Sequence, residues 1–413
     1  MRYVRKCNEE SDRAASDSDH RQPSAFGNNR CFRHEVGGCV GRLGWMVAVG
    51  LFGLGGDVFL VATCAADKPD WKAEFLTLCD AGRKIVEKQA RTEKRIGRAF
   101  YWDSYVVRAL AVAYDMTGRQ EYLDACRLWS DRMLQFQRQM IPPGAYYMQY
   151  GRHPGQTKGN WYVADCSSIA LGVLATAVRC DEPEDKARYL KSVQDFARLV
   201  VDRFVRPSGG VTDGYWPKSD KEWWCSTGIF GSLAFHLHAE TGDPSYLRVG
   251  LGTIDWLNRQ DLFRVAVHFP PKQITPTVLM YCLEAYSAGL PYLKVGTERY
   301  RLALTQLGRA HQWMLENWEG RAGIDYVSQW GSKFGGLPMH VYVFARQVPG
   351  KQELVQAADR ELRHIAGILK TAPPSNQRDQ LALFAMMSYA EKLCPGALDR
   401  ASCQSRAKTA PRR

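Results

Sequence analysis

From residue 69 onwards the apolar positions recur with helical spacing, and the predicted helices are of two kinds. In segments 71–90 and 120–137 the apolar residues occupy one face, which is typical of a half-exposed helix. In the second kind nearly every position is apolar, so the helix should be buried on all sides. Six segments of this second kind follow one another: 102–116, 163–178, 223–239, 275–288, 335–347 and 377–390.

Short joins between the segments repeat along the chain. Thr117-Gly118 precedes Tyr122, and Thr241-Gly242 precedes Tyr246; related joins precede Tyr189, Tyr300 and Leu354. This period is longer than the roughly 33–34 residues of ankyrin or tetratricopeptide units, and each period holds two helices. The pattern predicts an all-α (α/α)6 toroid over residues 67–395. The buried helices would form its inner ring, with short turns on one rim and long loops on the other.

The two ends of the chain differ in character from the helical part. Residues 1–42 are polar without apolar periodicity, which indicates disorder or a mis-called start. Residues 43–66 form an apolar run followed by small residues, which is typical of a signal peptide; Asp57 argues against a stable membrane-spanning helix. Residues 396–413 read as a basic flexible tail. We expect a secreted or periplasmic protein, with membrane anchoring through 43–66 as the alternative.

The net charge of +12 favours polyanionic partners, either nucleic acid or acidic polysaccharide. Because the basic residues are dispersed and no recognition motif appears, the sequence argues against nucleic-acid binding. It contains no HExxH motif, zinc pattern or phosphate-binding loop, so neither a metal nor another cofactor is predicted. The cysteines show no CxxC spacing and are interpreted mostly as core residues, although Cys394 and Cys403 flank a Pro-Gly turn and could pair.

Aromatic and polar residues concentrate in the long loops that lead into the buried helices. Trp and Tyr rings can stack on the apolar face of a sugar while acids bind its hydroxyls, and basic side chains could hold a substrate carboxylate. The alternative is that the rings merely fill the funnel. The predicted substrate-binding residues are Trp102, Arg152, His153, Lys158, Trp161, Tyr162, Asp213, Tyr215, Trp216, Trp223, Trp224, Trp330, Lys333 and His340.

Two aspartates, Asp103 and Asp165, each lie in the first turn of a buried helix. Each could simply cap its helix. Two acids on neighbouring inner helices would, however, face the same funnel. With Trp side chains and a second acid close by, one of them could have a raised pKa and act as a general acid. They are therefore the candidate catalytic pair.

The segments YWDSYVVRALAVAYDMTGRQEYLDAC and WYVADCSSIALGVLATAVRC resemble the two acid-bearing inner helices of the unsaturated glucuronyl and rhamnogalacturonyl hydrolases, which are six-hairpin glycosidases. The resemblance implies that Asp165 protonates the C4=C5 double bond of an unsaturated uronic acid and directs water to C5. It implies that Asp103 assists, and that no metal is required. The chain departs from the family at Trp102, where a His is frequent, and at 224–228, where an Arg-Gly-x-x-Trp pattern is frequent.

The favoured interpretation is a secreted hydrolase of acidic, unsaturated uronic acid-containing oligosaccharides. One alternative is a polysaccharide lyase on a similar toroid, with Tyr150, Tyr215, His153 or His340 removing the proton α to a uronate. A second alternative is a toroid that binds glycans without catalysis.

Overall fold

The computed structural model describes residues 70–92, 99–215, 220–263, 271–321 and 323–398. The predicted N-terminal extension, the predicted signal segment and Cys403 lie outside the described residues. So does Trp216, one of the predicted substrate-binding residues.

The described part of the chain contains twelve α-helices and two short strands. The helices are α1 Trp71–Arg91, α2 Phe100–Thr117, α3 Gln120–Gln137, α4 Val163–Ala177, α5 Pro183–Arg203, α6 Trp224–Thr241, α7 Pro244–Arg259, α8 Pro271–Gly289, α9 Glu298–Asn317, α10 Leu337–Gln347, α11 Gln352–Thr371 and α12 Asn376–Leu393. The strands are β1 Trp161–Tyr162 and β2 Gly214–Tyr215, and 3-10 turns cover Leu290–Tyr292 and Gly331–Gly336.

The even-numbered helices form a closed inner ring. Each packs on the next even-numbered helix, with the 3-10 turn Gly331–Gly336 contributing beside α10, and α12 returns to pack on α2. The odd-numbered helices lie outside and are buried along one face only, as on α5, where Tyr189, Val193 and Phe196 are buried. This arrangement confirms the predicted (α/α)6 toroid. The predicted start of the fifth inner helix shifts by two residues because its glycines form the 3-10 turn; Pro338 then falls in the first turn of α10, where its missing N–H costs nothing.

Glycine turns fix the direction of the inner helices. Gly118 and Gly242 end α2 and α6 with φ of 69° and 72°, a left-handed conformation that favours glycine. Their N–H groups donate to the carbonyls of Tyr114 and His238, both at 2.8 Å. These short turns gather the C-terminal ends of the inner helices on one rim. The N-terminal ends, with the long loops, therefore share the other rim, which we call the mouth.

A two-residue antiparallel ladder joins two of the long loops. Trp161 pairs with Tyr215, and Tyr162 pairs with Gly214. Gly214 has φ of 115°, and a Cβ there would lie 2.3 Å from the carbonyl oxygen of Trp161, so only glycine fits. The Val163 N–H also donates to the Asp213 carbonyl at 2.9 Å. The ladder thus brings Asp213 to the first turn of α4.

An ion pair crosses the inside of the ring. Arg108 on α2 and Glu284 on α8 come from inner helices three places apart in a ring of six, so the pair spans the ring. Their Nη1 and Oε2 atoms lie 3.1 Å apart, with side-chain exposures of 7% and 2%. The pair connects opposite walls of the toroid.

The first residues beyond α12 pack against the ring instead of extending as a tail. Gly396 and Ala397 are buried. The Gly396 N–H donates to Glu391 Oε1 at 3.0 Å, and Arg179 Nη2 donates to the Ala397 carbonyl at 3.1 Å. The prediction of a flexible tail from residue 396 is therefore wrong for 396–398. Gly396 and Ala397 are small enough to lie against the ring, and their backbone N–H and carbonyl groups bond to Glu391 and Arg179.

Six cysteines, Cys79, Cys126, Cys166, Cys180, Cys225 and Cys282, are buried thiols within the described helical core. Among the helices of the described ranges, none is both long enough and apolar enough to cross a membrane.

Candidate functional site

Inner helices α2, α4 and α6 each place a polar residue in the first turn at the mouth. Asp165 is the third residue of α4, Ser226 is the third residue of α6, and Asp103 is the fourth residue of α2. The N-cap positions of α2 and α4, Ala99 and Tyr162, provide no side-chain cap. Asp103 is fully buried, whereas Asp165 retains partial exposure. Of the two predicted aspartates, Asp165 is thus the one that a ligand in the mouth could reach.

The environment of Asp165 favours its protonated form. The Tyr150 hydroxyl donates to Asp165 Oδ2. Burial, together with the nearby carboxylate of Asp213, raises the pKa of Asp165 to about 8, against the opposing effect of Lys333. Because this pKa lies above neutrality, the carboxyl group carries a proton at pH 7 and can donate it to a substrate.

Asp213 is a second acid beside Asp165, and its pKa is raised less. The Ser226 hydroxyl donates to Asp213 Oδ1 at 2.8 Å. Burial raises the pKa of Asp213 to about 6, while the Ser226 hydrogen bond lowers it. At pH 7 Asp213 is therefore mostly ionised and Asp165 mostly protonated. Environments that push two pKa values apart are how enzymes divide acid and base roles between carboxyl groups.

A buried lysine, Lys333, lies near the acids in the 3-10 turn before α10. Lys333 is 5% exposed, and its Nζ donates to the Gln329 carbonyl at 2.8 Å and lies 5.4 Å from the ring centroid of Phe384. Burial lowers the pKa of Lys333 to about 8, against the opposing effects of Cys225 and Asp165. The lysine therefore places a positive charge beside the protonated acid.

Aromatic side chains surround this group. Trp102 meets Tyr101 edge to face at 6.1 Å, and burial together with the nearby Asp165 raises the pKa of Tyr101. Trp223 stacks on Trp224 at 5.4 Å. Trp102, Tyr162 and Trp223 are partly exposed, whereas Trp224 is buried. Of the predicted residues, these three could contact a sugar, and Tyr101 is partly exposed beside them.

Other predicted residues hold the loops in place. Trp161 is fully buried, and its Nε1 donates to the Tyr146 carbonyl at 2.8 Å. The Arg152 guanidinium lies 4.2 Å from the centroid of the Tyr215 ring, and its Nη1 donates to the Ile141 carbonyl at 3.1 Å. In this structure Trp161, Arg152 and Tyr215 pack within the loops.

The remaining predicted residues are dispersed. His153 is exposed, with its Nδ1 2.8 Å from the Tyr147 hydroxyl, and Lys158 is exposed on the same loop. Trp330 is partly buried against the core. His340 is buried, with Nε2 3.1 Å from the Met280 carbonyl, and burial lowers its pKa to about 3. The hydrogen bonds of His153 and His340 are thus made to groups other than the acids of the mouth.

Sequence reasoning missed Cys225 and Ser226, and it considered Tyr150 only as a lyase base. Ser226 could have been found from its position, because it is the third residue of its inner helix, as Asp165 is of its own. Within the described ranges, the mouth included, three or more His, Cys, Asp or Glu side chains do not come together in an arrangement that could hold a metal ion.

Comparison with known proteins gives structural matches only. The chain matches no family model, and it matches no curated protein. Among solved structures, it is similar to a possible member of glycoside hydrolase family 105 from Klebsiella pneumoniae. That match has 12% identity and a TM-score of 0.55, covering 78% of this chain and 94% of the other. The unsaturated glucuronyl hydrolase from Streptococcus agalactiae matches with 10% identity and a TM-score of 0.51, covering 78% and 96%.

A family 76 α-mannanase from Bacteroides thetaiotaomicron also matches, with 11% identity and a TM-score of 0.51, over 83% of this chain and all of the other. The chain has the six-hairpin glycosidase fold. These structural neighbours are glycoside hydrolases, but at identities of 10–12% the likeness establishes the fold and not the reaction.

Proposed function

We propose that this protein is a secreted carbohydrate-active hydrolase that acts on acidic oligosaccharides ending in an unsaturated uronic acid. The observation that carries the proposal is the protonated carboxyl of Asp165 at the mouth, beside the ionised Asp213 and the cation of Lys333. A 4,5-unsaturated uronide needs a proton donor for its double bond and a positive charge for its carboxylate. Both are present on one rim of the ring.

The proposed reaction is a hydration. Asp165 transfers its proton to C4 of the double bond, and its carboxylate then takes a proton from the water whose oxygen bonds to C5. The resulting hemiketal opens and releases the next sugar, so Asp165 ends the cycle protonated. Lys333 holds the substrate carboxylate. Asp103 keeps the assisting role that the resemblance assigns to it, and Trp102, Tyr162 and Trp223 contact the sugar rings.

The proposal is tested with the Asp165→Asn variant and lyase-generated unsaturated oligosaccharides, following the ultraviolet absorbance of the conjugated double bond. We expect the wild type to consume the signal and the variant to be slower by about 10²–10⁴-fold, the usual contribution of a general acid. Asp202→Asn, the same change at an exposed position on outer helix α5, should retain full activity. Wild-type turnover by Asp165→Asn would remove Asp165 from this role.

The same assay separates the alternatives. A rising signal on intact polyuronides would mean a lyase, and silence on both substrates would favour a toroid that only binds glycans. We prefer the hydrolase because each lyase candidate has another partner: His153 bonds to Tyr147, His340 to the Met280 carbonyl, Tyr150 donates to Asp165, and Arg203 donates to the Tyr215 hydroxyl. Manno-oligosaccharides should be included, since one structural neighbour is an α-mannanase.

A further inference from the structure

Tyr150 follows a buried loop segment that runs beside the first turns of α2 and α4. The Phe100 N–H, at the start of α2, donates to the Met148 carbonyl at 3.3 Å. The Tyr162 N–H, just before α4, donates to the Met148 sulfur, also at 3.3 Å. Residues 145–149 are buried, whereas Tyr150 is partly exposed. The segment therefore delivers the Tyr150 side chain to the mouth.

The backbone on either side of Tyr150 is constrained. Gln149 has φ of 73° and Gly151 has φ of 67°, so left-handed residues flank the tyrosine. At Gly151 a Cβ would lie 2.2 Å from the Asn160 carbonyl oxygen. At Gln149 this conformation is costly and persists only where contacts hold it; one of them is the bond from Gln89 Nε2 to Gln149 Oε1 at 3.1 Å. A costly backbone conformation beside a mouth residue indicates a functional constraint on that residue.

The constrained loop brings Tyr150 to the carboxyl group of Asp165. The Tyr150 hydroxyl donates to Asp165 Oδ2, and within the described ranges this is the one hydrogen bond that the carboxyl group makes. The other oxygen, Oδ1, belongs to a partly exposed side chain and stays available to a ligand. A protonated carboxyl group carries one O–H donor and keeps acceptor capacity on its other oxygen. Because Oδ2 accepts from the tyrosine, the acidic proton belongs on Oδ1.

We propose that Tyr150 is a positioning residue, which holds Asp165 through Oδ2 and so directs the proton on Oδ1 at the substrate. This role rests on the hydration proposed above, in which Asp165 donates that proton to C4. The same hydrogen bond stabilises the carboxylate that remains after the transfer. Tyr150 therefore acts through Asp165 and does not itself supply or remove a proton.

Tyr150→Phe is the direct test, because it removes the hydroxyl and keeps the ring that packs beside Tyr162 at 6.2 Å. In the ultraviolet assay we expect kcat to fall by about 10- to 100-fold, as for a misplaced catalytic group. KM should stay within about twofold of the wild-type value, because the lost bond is to Asp165 and not to the sugar. The matched control is Tyr147→Phe on the same loop, whose hydroxyl lies 2.8 Å from His153 Nδ1; it should retain wild-type kcat.

A carboxyl ¹³C NMR titration of the full chain tests the contact without relying on activity. The Asp165 signal is assigned by its absence in Asp165→Asn. Loss of a donor to the carboxylate disfavours the ionised form, so the pKa of Asp165 should be higher in Tyr150→Phe and unchanged in Tyr147→Phe. A direct titration is needed because Lys333 also loses its charge near pH 8 and would affect the basic limb of a rate profile. Both variants keep the other described titratable groups near Asp165, which are Asp213, Tyr101, Cys166, Cys225 and Tyr281.

Gly151→Ala tests the loop itself. The added Cβ would displace the backbone beside Tyr150, so kcat and the pKa of Asp165 should change in the same directions as in Tyr150→Phe. An active wild type with unchanged kcat in Tyr150→Phe, or the same pKa of Asp165 in both proteins, would overturn the positioning role. An inactive wild type would instead count against the proposed hydrolysis, and the titration would still decide whether Tyr150 acts on Asp165.

Discussion

Removing one partner of the Arg108–Glu284 pair should destabilise the fold strongly. Arg108 Nη1 lies 3.2 Å and 3.1 Å from the two carboxylate oxygens of Glu284, and both side chains are nearly inaccessible to water. Glu284→Gln would leave the guanidinium buried without its counter-charge. Breaking a buried ion pair in this way typically costs about 3–5 kcal/mol. We expect a loss of that size in the free energy of unfolding, measured by urea denaturation with an unchanged slope.

The double variant makes the reasoning testable. Replacing both partners by apolar residues, Arg108→Met with Glu284→Leu, removes both buried charges and should recover most of the loss. The two single losses should therefore be far from additive in a double-mutant cycle. For comparison, breaking the exposed pair Arg301–Glu298 should cost less than about 1 kcal/mol. A loss below about 1 kcal/mol for Glu284→Gln, or additive losses in the cycle, would refute the view that the pair braces opposite walls of the ring.

Three further predictions concern the acids and the inner ring. Because the pKa of Asp165 is raised to about 8, the folded state holds a proton that the unfolded chain releases. As the pH rises from about 4 to about 8, the contribution of this group to the free energy of unfolding of the wild type should therefore be lost. The melting temperature of Asp165→Asn should rise relative to that of the wild type over the same range; a difference that does not change with pH would contradict the raised pKa of Asp165. Ser226→Ala removes a hydrogen bond that lowers the pKa of Asp213. If activity needs ionised Asp213, the acidic limb of the pH–rate profile should move to higher pH; an unchanged profile would mean that the ionisation of Asp213 does not limit the rate. Gly228→Ala would place a Cβ 2.5 Å from the Tyr281 carbonyl and should cost about 1–3 kcal/mol in unfolding free energy. Gly308→Ala, in α9 with open space around it, should instead stabilise by about 0.5–1 kcal/mol; similar effects of the two changes would refute the close packing of α6 on α8.

The ring could be predicted from sequence because its signals are long and redundant. Helices apolar on every face must be buried, and six of them occur in turn. Glycine joins before Tyr122, Tyr246, Tyr300 and Leu354 mark the same position in four of the hairpins. The first-turn positions of Asp103 and Asp165 followed from the same periodicity. These features depend on local pattern and need no knowledge of distant contacts.

The connections at the mouth could not be predicted in the same way. The β1–β2 ladder is two residues long, too short to show alternation, yet it decides that Asp213 lies beside α4. The hydrogen bond from Ser226 to Asp213 depends on that ladder. Gly396 and Ala397 are small and belong to no periodic apolar segment, so their hydrogen bonds to Glu391 and Arg179 are visible only in three dimensions.

The separation of the two rims has a consequence for how such a protein can change. Ring closure depends on the inner helices and on tight turns at Gly118 and Gly242, where an added residue would disturb a left-handed cap. The acids and aromatic rings are carried by long loops on the opposite rim, where extra residues are tolerated at a small entropic cost. Insertions at the mouth can therefore alter which sugars enter while the scaffold stays intact, so a chain can keep this architecture while its substrate diverges.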